Sequence, residues 1–348
     1  MKHVRLSIIG FGVVGQGLAE LLVTRKELLR RHFDLQVTLV SVANARHGFI
    51  YREDGLDIPA LLELAAQRRP LTELSGVKHW KDALEGLQAT GGDILAEATG
   101  TNLCDGEPGV SHIRGALAQK MHVITANKGP IALAANELFS LAREQGVQLR
   151  IEATVMAGTP VISTVHEGMA GARVRAIRGI LNGTTNYILS AMANGRDYED
   201  VLAEAQQQGY AEADPTADVE GYDAVAKTLI LAAVVFGHTL KPDQVQRRGI
   251  TGVSREDIKH AIKNNERIKL IASLNTVEDF ADCPLDARVE PVALPLSDPL
   301  AHIDGVTNAI TFETDTLSKV TIVGPGAGRL PTGQGLLADL IAIARTTE

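Results

Sequence analysis

Apolar and polar positions along the first 150 residues follow a repeating rhythm of short apolar blocks and longer stretches of helical spacing. Residues 4–9 form a short apolar run rich in β-branched side chains, which predicts a strand. Gly10-Phe11-Gly12-Val13-Val14-Gly15 follows at once, and Leu18, Leu21, Leu22, Leu28 and Leu29 then recur at mostly helical spacing up to Arg31. A second strand is predicted over 37–43, so the chain opens on a βαβ unit. Helices at 58–69 (ended before Pro70), 113–119 and 132–144 alternate with strands at 93–99, 122–126 and 147–153. Strands alternating with helices predict a parallel, doubly wound sheet.

After residue 153 the rhythm changes. A strand over 174–181 runs into Asn182-Gly183-Thr184-Thr185 and a helix over 186–192. A second helix, 198–207, stops at Gly209, and a long apolar helix over 219–236 stops at Gly237 with Pro242 beyond. Ser254 is placed to cap a helix over 255–264. Strand-like runs follow at 268–274, 287–293 and 308–313, giving this region an α+β character and its own sheet. The end returns to the opening grammar: a strand over 320–323, the turn Gly324-Pro325-Gly326-Ala327-Gly328, and a helix over 336–345. This last strand and helix are expected to dock on the first domain. The fold class is therefore α/β, a Rossmann-type doubly wound parallel sheet plus an α+β domain, with boundaries at 1–152 joined by 324–348, and 153–323.

A length of 348 residues fits two domains and a sizeable core. Aromatics are only 4% of the chain, so that core must be aliphatic. The formal charge of −8 offers no electrostatic case for nucleic acid or an anionic membrane as partner. No apolar run reaches the length of a membrane span, and the amino terminus runs straight into a strand pattern rather than a signal peptide. Two cysteines exclude a disulfide framework or a CxxC zinc site, so a cytoplasmic location is expected. Neither Cys104 nor Cys283 lies in a nucleophile motif, and the ten histidines show no HExxH spacing.

The glycine run is a weak signal alone, but here a strand precedes it and a helix follows, the context a dinucleotide pyrophosphate requires. The bland alternative is a tight turn with no ligand. An Asp or Glu at the end of the second strand would accept from NAD ribose hydroxyls. The chain has Val42-Ala43-Asn44-Ala45-Arg46 there instead, and a guanidinium suits a 2′-phosphate, so NADP is favoured with NAD possible. A solvated surface arginine is the alternative. Asp223 and Lys227 stand four apart on a predicted helix whose remaining face is apolar. Read from the residues alone, they are either a surface ion pair or a lysine held for a ligand. Lys128 ends a predicted strand, where doubly wound sheets bind ligands, and Glu212 lies in a Gly/Pro-bounded loop.

Longer strings carry a resemblance. They are Thr125-Ala126-Asn127-Lys128, Glu152-Ala153-Thr154-Val155, Gly179-Ile180-Leu181-Asn182-Gly183-Thr184-Thr185-Asn186-Tyr187 and Gly209-Tyr210-Ala211-Glu212-Ala213-Asp214-Pro215-Thr216, the last leading into Asp218-Val219-Glu220-Gly221-Tyr222-Asp223 and Lys227. Over essentially its whole length the chain resembles the homoserine dehydrogenases, in a short form without a carboxy-terminal ACT domain. The resemblance implies NAD(P)H-dependent interconversion of L-aspartate 4-semialdehyde and L-homoserine, in the biosynthesis of threonine, methionine and isoleucine. It implies a first domain that binds the dinucleotide. The middle domain would bind substrate, carry the catalytic lysine and dimerise through its sheet.

Residue by residue, the resemblance implies Lys227 as general acid/base, Asp223 as the carboxylate that orients substrate, and Lys128 beside nicotinamide and substrate. Glu212 would bind the substrate amino group, with Asp214, Asp218, Asn182, Gly183 and Thr184 around it. Dinucleotide contacts are implied at Gly10, Phe11, Gly12, Val13, Val14, Gly15, Asn44, Arg46, Thr99, Gly100, Lys128 and Gly328. Glu152 and the carbonyls of Val155, Ala157 and Thr159 would surround a monovalent cation, sodium, which hard oxygen ligands suit. Oxidation of the alcohol needs the neutral amine, so alkaline pH is expected to favour that direction. Another small amino-acid oxidoreductase and a non-catalytic dinucleotide sensor stay open as alternatives on the residues alone.

Overall fold

The computed structural model describes residues 1–276 and 285–346, so Cys283 lies outside the described residues. The chain divides into two compact units, Met1–Gly158 with Ala327–Glu348, and Thr159–Gly326.

The first unit is built on β1 (Lys2–Ile9), β2 (Leu35–Asn44), β3 (Gly48–Tyr51), β4 (Lys78–Trp80), β5 (Ile94–Glu97), β6 (His122–Thr125) and β7 (Leu149–Arg150). Among the described residues these form one seven-stranded sheet in the order β4-β3-β2-β1-β5-β6-β7. From β2 to β7 every pairing is parallel, whereas β3 runs antiparallel to both β2 and β4. The chain places β2 on one side of β1 and β5 on the other. Strand order therefore reverses at β1, the position where open α/β sheets bind ligands beyond the carboxyl ends of their strands. The helices are α1 (Val13–Thr24), α2 (Lys26–Phe33), α3 (Ile58–Ala66), α4 (Ala83–Thr90), α5 (Gly109–Ala118) and α6 (Lys128–Gln145), with the final helix Arg329–Thr346. Leu18, Leu21 and Leu22 of α1 and Leu336, Leu337 and Leu340 of the final helix share one aliphatic core with Leu6 and Ile8 of β1.

The second unit holds β8 (Val174–Ile180), β9 (Gln246–Arg247), β10 (Glu266–Thr276), β11 (Leu285–Pro295), β12 (Thr307–Thr314) and β13 (Lys319–Pro325). Their order is β13-β12-β8-β10-β11-β9, antiparallel except for the β9–β11 pair. Its helices are α7 (Gly183–Ala193), α8 (Tyr198–Gln207), α9 (Thr216–Val219), α10 (Tyr222–Phe236) and α11 (Arg255–Lys263). Ile180, Ile271, Leu294, Leu300 and Ala309 form a buried cluster on this sheet.

Several sequence expectations change. The strand over 320–323 does not dock on the first sheet: as β13 it pairs antiparallel with β12, Ile310 opposite Ile322. A four-residue connection from Thr314 to Lys319 favours hairpin pairing over a crossover. The helix expected over 219–236 is split, because Gly221 at φ +82° separates α9 from α10. The single helix after the glycine turn is likewise two, parted at Arg25. The strand over 147–153 is only two residues long and gives way to a helical turn at Glu152–Thr154. Lys128 does not end a strand but starts α6, whose cap is Asn127.

Candidate functional site

In the first unit the turn between β1 and α1 is shaped by its glycines. Gly10 has φ +100°, and an added Cβ would come 2.3 Å from the carbonyl carbon of Ala98. A Cβ on Gly15 would come 2.3 Å from the carbonyl oxygen of Gly10. At Gly12, by contrast, a Cβ would meet nothing within 4 Å. The backbone N–H groups of Gly10 and Phe11 both donate to Ala43 O, at 2.9 and 3.0 Å, and Phe11 is buried. These two residues therefore shape the turn rather than present donors. The donors are at the start of α1, where no side chain caps the helix and the first helical bond runs from Gln16 N–H to Gly12 O at 3.0 Å. The helix start thus directs its uncapped N–H groups and positive dipole end to the open space at Gly12.

At the end of β2, Asn44 Oδ1 accepts from the N–H groups of Arg46 and His47 at 3.1 and 2.7 Å, which makes it the cap of a tight turn. Arg46 is exposed, and its guanidinium has no partner among the described residues. Thr99 lies just past β5, within reach of the glycine turn: a Cβ added to Gly10 would approach its nitrogen to 2.5 Å. Gly100 has open space around it, and Gly328 takes φ +127° before the final helix.

The second unit carries the polar cluster. Lys227 sits one turn into α10 and is 6% exposed. Its Nζ lies 2.8 Å from Asp223 Oδ2 and donates to the Leu181 carbonyl at 2.5 Å. Asn182, the cap of α7, links the parts. Its Oδ1 accepts the Thr185 N–H at 2.9 Å, and its Nδ2 donates to Asp218 Oδ1 at 2.6 Å and Asp223 Oδ2 at 3.0 Å. Burial, and then the neighbouring Asp223 carboxylate, push Asp218 above the usual carboxylate range. Thr184 Oγ1 donates to Tyr210 O at 2.6 Å, fixing the loop that carries Glu212. Gly183 is required by close packing, since a Cβ there would come 2.7 Å from Val306 O. Glu212 and Asp214 are exposed. Asp214 is held below the usual range by the Thr216 hydroxyl and N–H, whereas the Glu212 carboxylate has no partner among the described residues.

A family profile described as "Homoserine dehydrogenase" matches residues 160–341, and one described as "Homoserine dehydrogenase, NAD binding domain" matches residues 10–152. The chain belongs to the homoserine dehydrogenase family. It is 41% identical to a protein of Pseudomonas canavaninivorans named NAD(+)-dependent homoserine dehydrogenase, over 99% of this chain and 97% of the relative. It is 36% identical to the homoserine dehydrogenase of Methanocaldococcus jannaschii, over 98% of each. A hyperthermophilic archaeal homoserine dehydrogenase solved in complex with NADPH superposes with a TM-score of 0.84 at 29% identity, covering 100% of this chain and 99% of that one.

As a homoserine dehydrogenase, the chain is an NAD(P)-dependent oxidoreductase acting on a CH–OH group, interconverting L-homoserine and L-aspartate 4-semialdehyde. The glycine turn fits the dinucleotide it needs: Gly12 leaves room where a Cβ would intrude, and the start of α1 offers donors with no side-chain cap. Of the residues named from the sequence, Asn182, Asp218, Asp223 and Lys227 come together in one hydrogen-bonded group. The Leu181 carbonyl, which accepts a hydrogen bond from Lys227, carried no sequence signal. Glu152 is buried at 4% exposure, and its N–H donates to Asp339 Oδ2 at 2.8 Å. Val155 and Ala157 follow in the first unit, Ala157 at φ +50°, and Thr159 opens the second, its hydroxyl donating to Pro325 O at 3.0 Å. Cys104 is an exposed free thiol. A cavity of about 550 Å³ lined by Leu29, Leu35, Leu39 and Leu56 contains none of these residues.

Proposed function

We propose that Lys227 moves the proton of the reaction at the substrate oxygen. The observation that carries this is a buried ammonium with two anchors, Asp223 and the Leu181 carbonyl, and a third donor position left for a ligand. The bound dinucleotide supplies or accepts the hydride at carbon. As the alcohol is oxidised, neutral Lys227 takes the hydroxyl proton; in reduction, its ammonium stabilises the developing oxyanion and returns the proton. Asp223, gripped by Asn182, orients the amine and the substrate. Asp218 shares the Asn182 amide, and Glu212 holds the substrate ammonium from its loop. Lys128, at the first turn of α6, lies on the dinucleotide side of the reaction. Adding homoserine with NADP or NAD at alkaline pH and following the reduced-nicotinamide absorbance tests the reading. No turnover with either, despite dinucleotide binding, would favour a sensor instead.

The dinucleotide is NADP in preference to NAD. What supports this is the absence of an acid at the end of β2 and the free guanidinium of Arg46. Sodium binds at Glu152, Val155, Ala157 and Thr159, a set of hard oxygens, and thermal midpoints in sodium against choline chloride test it without activity. The enzyme is a cytoplasmic homodimer serving threonine, methionine and isoleucine biosynthesis, and its assembly is measurable by sedimentation. No helix among the described residues is long and apolar enough to cross a membrane.

A further inference from the structure

Glu97 is the last residue of β5 and is completely buried. Its three predecessors in the strand, Ile94, Leu95 and Ala96, are apolar and equally buried. A carboxylate in such a place must find donors. Its Oε1 accepts the Thr99 N–H at 3.2 Å and also the Thr99 hydroxyl. The Thr125 hydroxyl is shared between the Glu97 carbonyl oxygen at 3.0 Å and Oε2 at 3.3 Å. His112 faces it with Nδ1 at 3.6 Å from Oε1, too long for a hydrogen bond, and that nitrogen has no hydrogen-bond partner among the described residues. The carboxylate is therefore satisfied at the carboxyl ends of β5 and β6, by Thr99 just past β5 and by Thr125, the last residue of β6 and the ladder partner of Glu97.

Two segments are pinned by these bonds. The first is Ala98–Thr99, which lies so close to the glycine turn that only a glycine fits at position 10. The second is the start of α6. The Thr125 hydroxyl accepts the Asn127 N–H at 3.0 Å, Asn127 Nδ2 donates to Thr99 Oγ1 at 3.0 Å, and Asn127 Oδ1 accepts the Gly129 N–H at 3.1 Å. Glu97, Thr99, Thr125 and Asn127 thus form one closed network between the glycine turn and Lys128. We propose that Glu97 is a positioning residue for the dinucleotide, its buried carboxylate holding the two strand-end segments that frame the glycine turn. This rests on the dinucleotide lying across that turn.

The test is direct binding of NADPH and NADH to the full chain by nicotinamide fluorescence, together with homoserine kinetics at saturating dinucleotide. Glu97→Ala removes both carboxylate acceptors, leaving the Thr125 hydroxyl only the main-chain carbonyl of residue 97, and is expected to weaken dinucleotide binding by about tenfold or more, with the homoserine KM unchanged. Glu97→Gln keeps an oxygen for Thr99 and turns an amide donor to the Thr125 hydroxyl, so it is expected to restore affinity to within about threefold of wild type. Wild-type affinity in Glu97→Ala overturns the proposal. So does an equal loss in the Ala and Gln variants, which would make charge rather than hydrogen bonding the cause. A rise in homoserine KM parallel to the loss of dinucleotide affinity, pointing to a general structural role, also overturns it. If Glu97→Ala does not fold, Thr125→Val carries the test: weaker dinucleotide binding supports the network, and unchanged binding overturns it. Gly12→Val, which fills the open space at the turn, is the control. If it binds dinucleotide normally, the placement of the dinucleotide is wrong. If it blocks binding while Glu97→Ala does not, only the Glu97 proposal fails.

Discussion

Replacing Lys227 by Met keeps an unbranched apolar stem in the core of α10 and deletes the amine. Two native contacts disappear, the 2.8 Å ion pair to Asp223 and the 2.5 Å bond to the Leu181 carbonyl. Asp223 keeps Asn182 Nδ2 at 3.0 Å, so the carboxylate is not left bare. Stranding the Leu181 carbonyl costs about 1–3 kcal/mol of stability. Against a typical stability of about 5–15 kcal/mol, that loss leaves nearly all molecules folded. A fall in rate therefore cannot come from unfolding. Loss of proton transfer removes about 10²–10⁴ from kcat, or about 3–5 kcal/mol of transition-state stabilisation.

The assay is initial-rate oxidation of homoserine, followed by reduced-nicotinamide absorbance, beside dinucleotide titration and a denaturation midpoint for the same preparation. The expected pattern is a kcat reduced at least about a hundredfold, dinucleotide affinity unchanged, and a midpoint lowered by the modest amount above. Lys227→Arg sharpens the reasoning, because guanidinium keeps the charge beside Asp223 but does not release a proton. A Lys227→Met enzyme within about tenfold of wild-type kcat would refute the proton-transfer role. An active Lys227→Arg enzyme would show that charge alone suffices.

Three further outcomes follow from other groups. Asp218 is raised above its unfolded value by burial and by Asp223, so the native state holds its proton more tightly. Its contribution to stability is present below the ordinary aspartate range and lost as pH rises through the raised value; denaturation midpoints across acidic pH should show this decline in wild type and not in Asp218→Asn. Arg46→Ala should weaken NADPH binding by about tenfold and leave NADH unchanged, as expected for loss of charge-assisted bonds to a 2′-phosphate; equal losses for both would sink the cofactor argument. Lys269 is 1% exposed and donates to Ile303 O at 2.6 Å, Asp304 Oδ1 at 2.8 Å, Asn186 Oδ1 at 3.1 Å and Ser190 Oγ at 3.2 Å, and burial pushes its ammonium below the usual lysine range. Lys269→Met should lower the urea midpoint by an amount equivalent to about 1–3 kcal/mol, and an unchanged midpoint would show that the network contributes nothing net.

What the sequence made legible was local. The glycine turn could be read because its requirements, a strand before, a helix after and no side chain at chosen points, are set by neighbours within the turn. Asp223 and Lys227 could be paired because helix geometry brings residues four apart onto one face. The placement of β13 could not be read, because an apolar run with period-2 alternation pairs equally well in either sheet. Pairing with β12 is decided by the short connection and by the register of the whole hairpin. The small strands β3 and β4 went unseen for a related reason: at four and three residues they are too short to show a period.

The two buried lysines of the second unit define the boundary most clearly. Both sit among apolar residues, yet Lys227 has a carboxylate four positions back on the same helix face, whereas the carboxylate in the strand of Lys269, Glu266, is three positions back and therefore on the opposite face. Along β10, Arg267 and Lys269 alternate with Ile268 and Leu270, a pattern that reads as a charged solvent face. The face is buried because α7 and the segment around Ile303–Asp304 cover it, bringing partners from 79 to 83 residues earlier and 34 to 35 residues later. Asn182 follows the same logic: its local role as a helix cap is readable from its type and position, while its grip on Asp218 and Asp223 spans 36 and 41 residues. Residue types therefore reveal what chemistry each unit can perform, and long-range polar contacts decide which of those residues are held still enough to perform it.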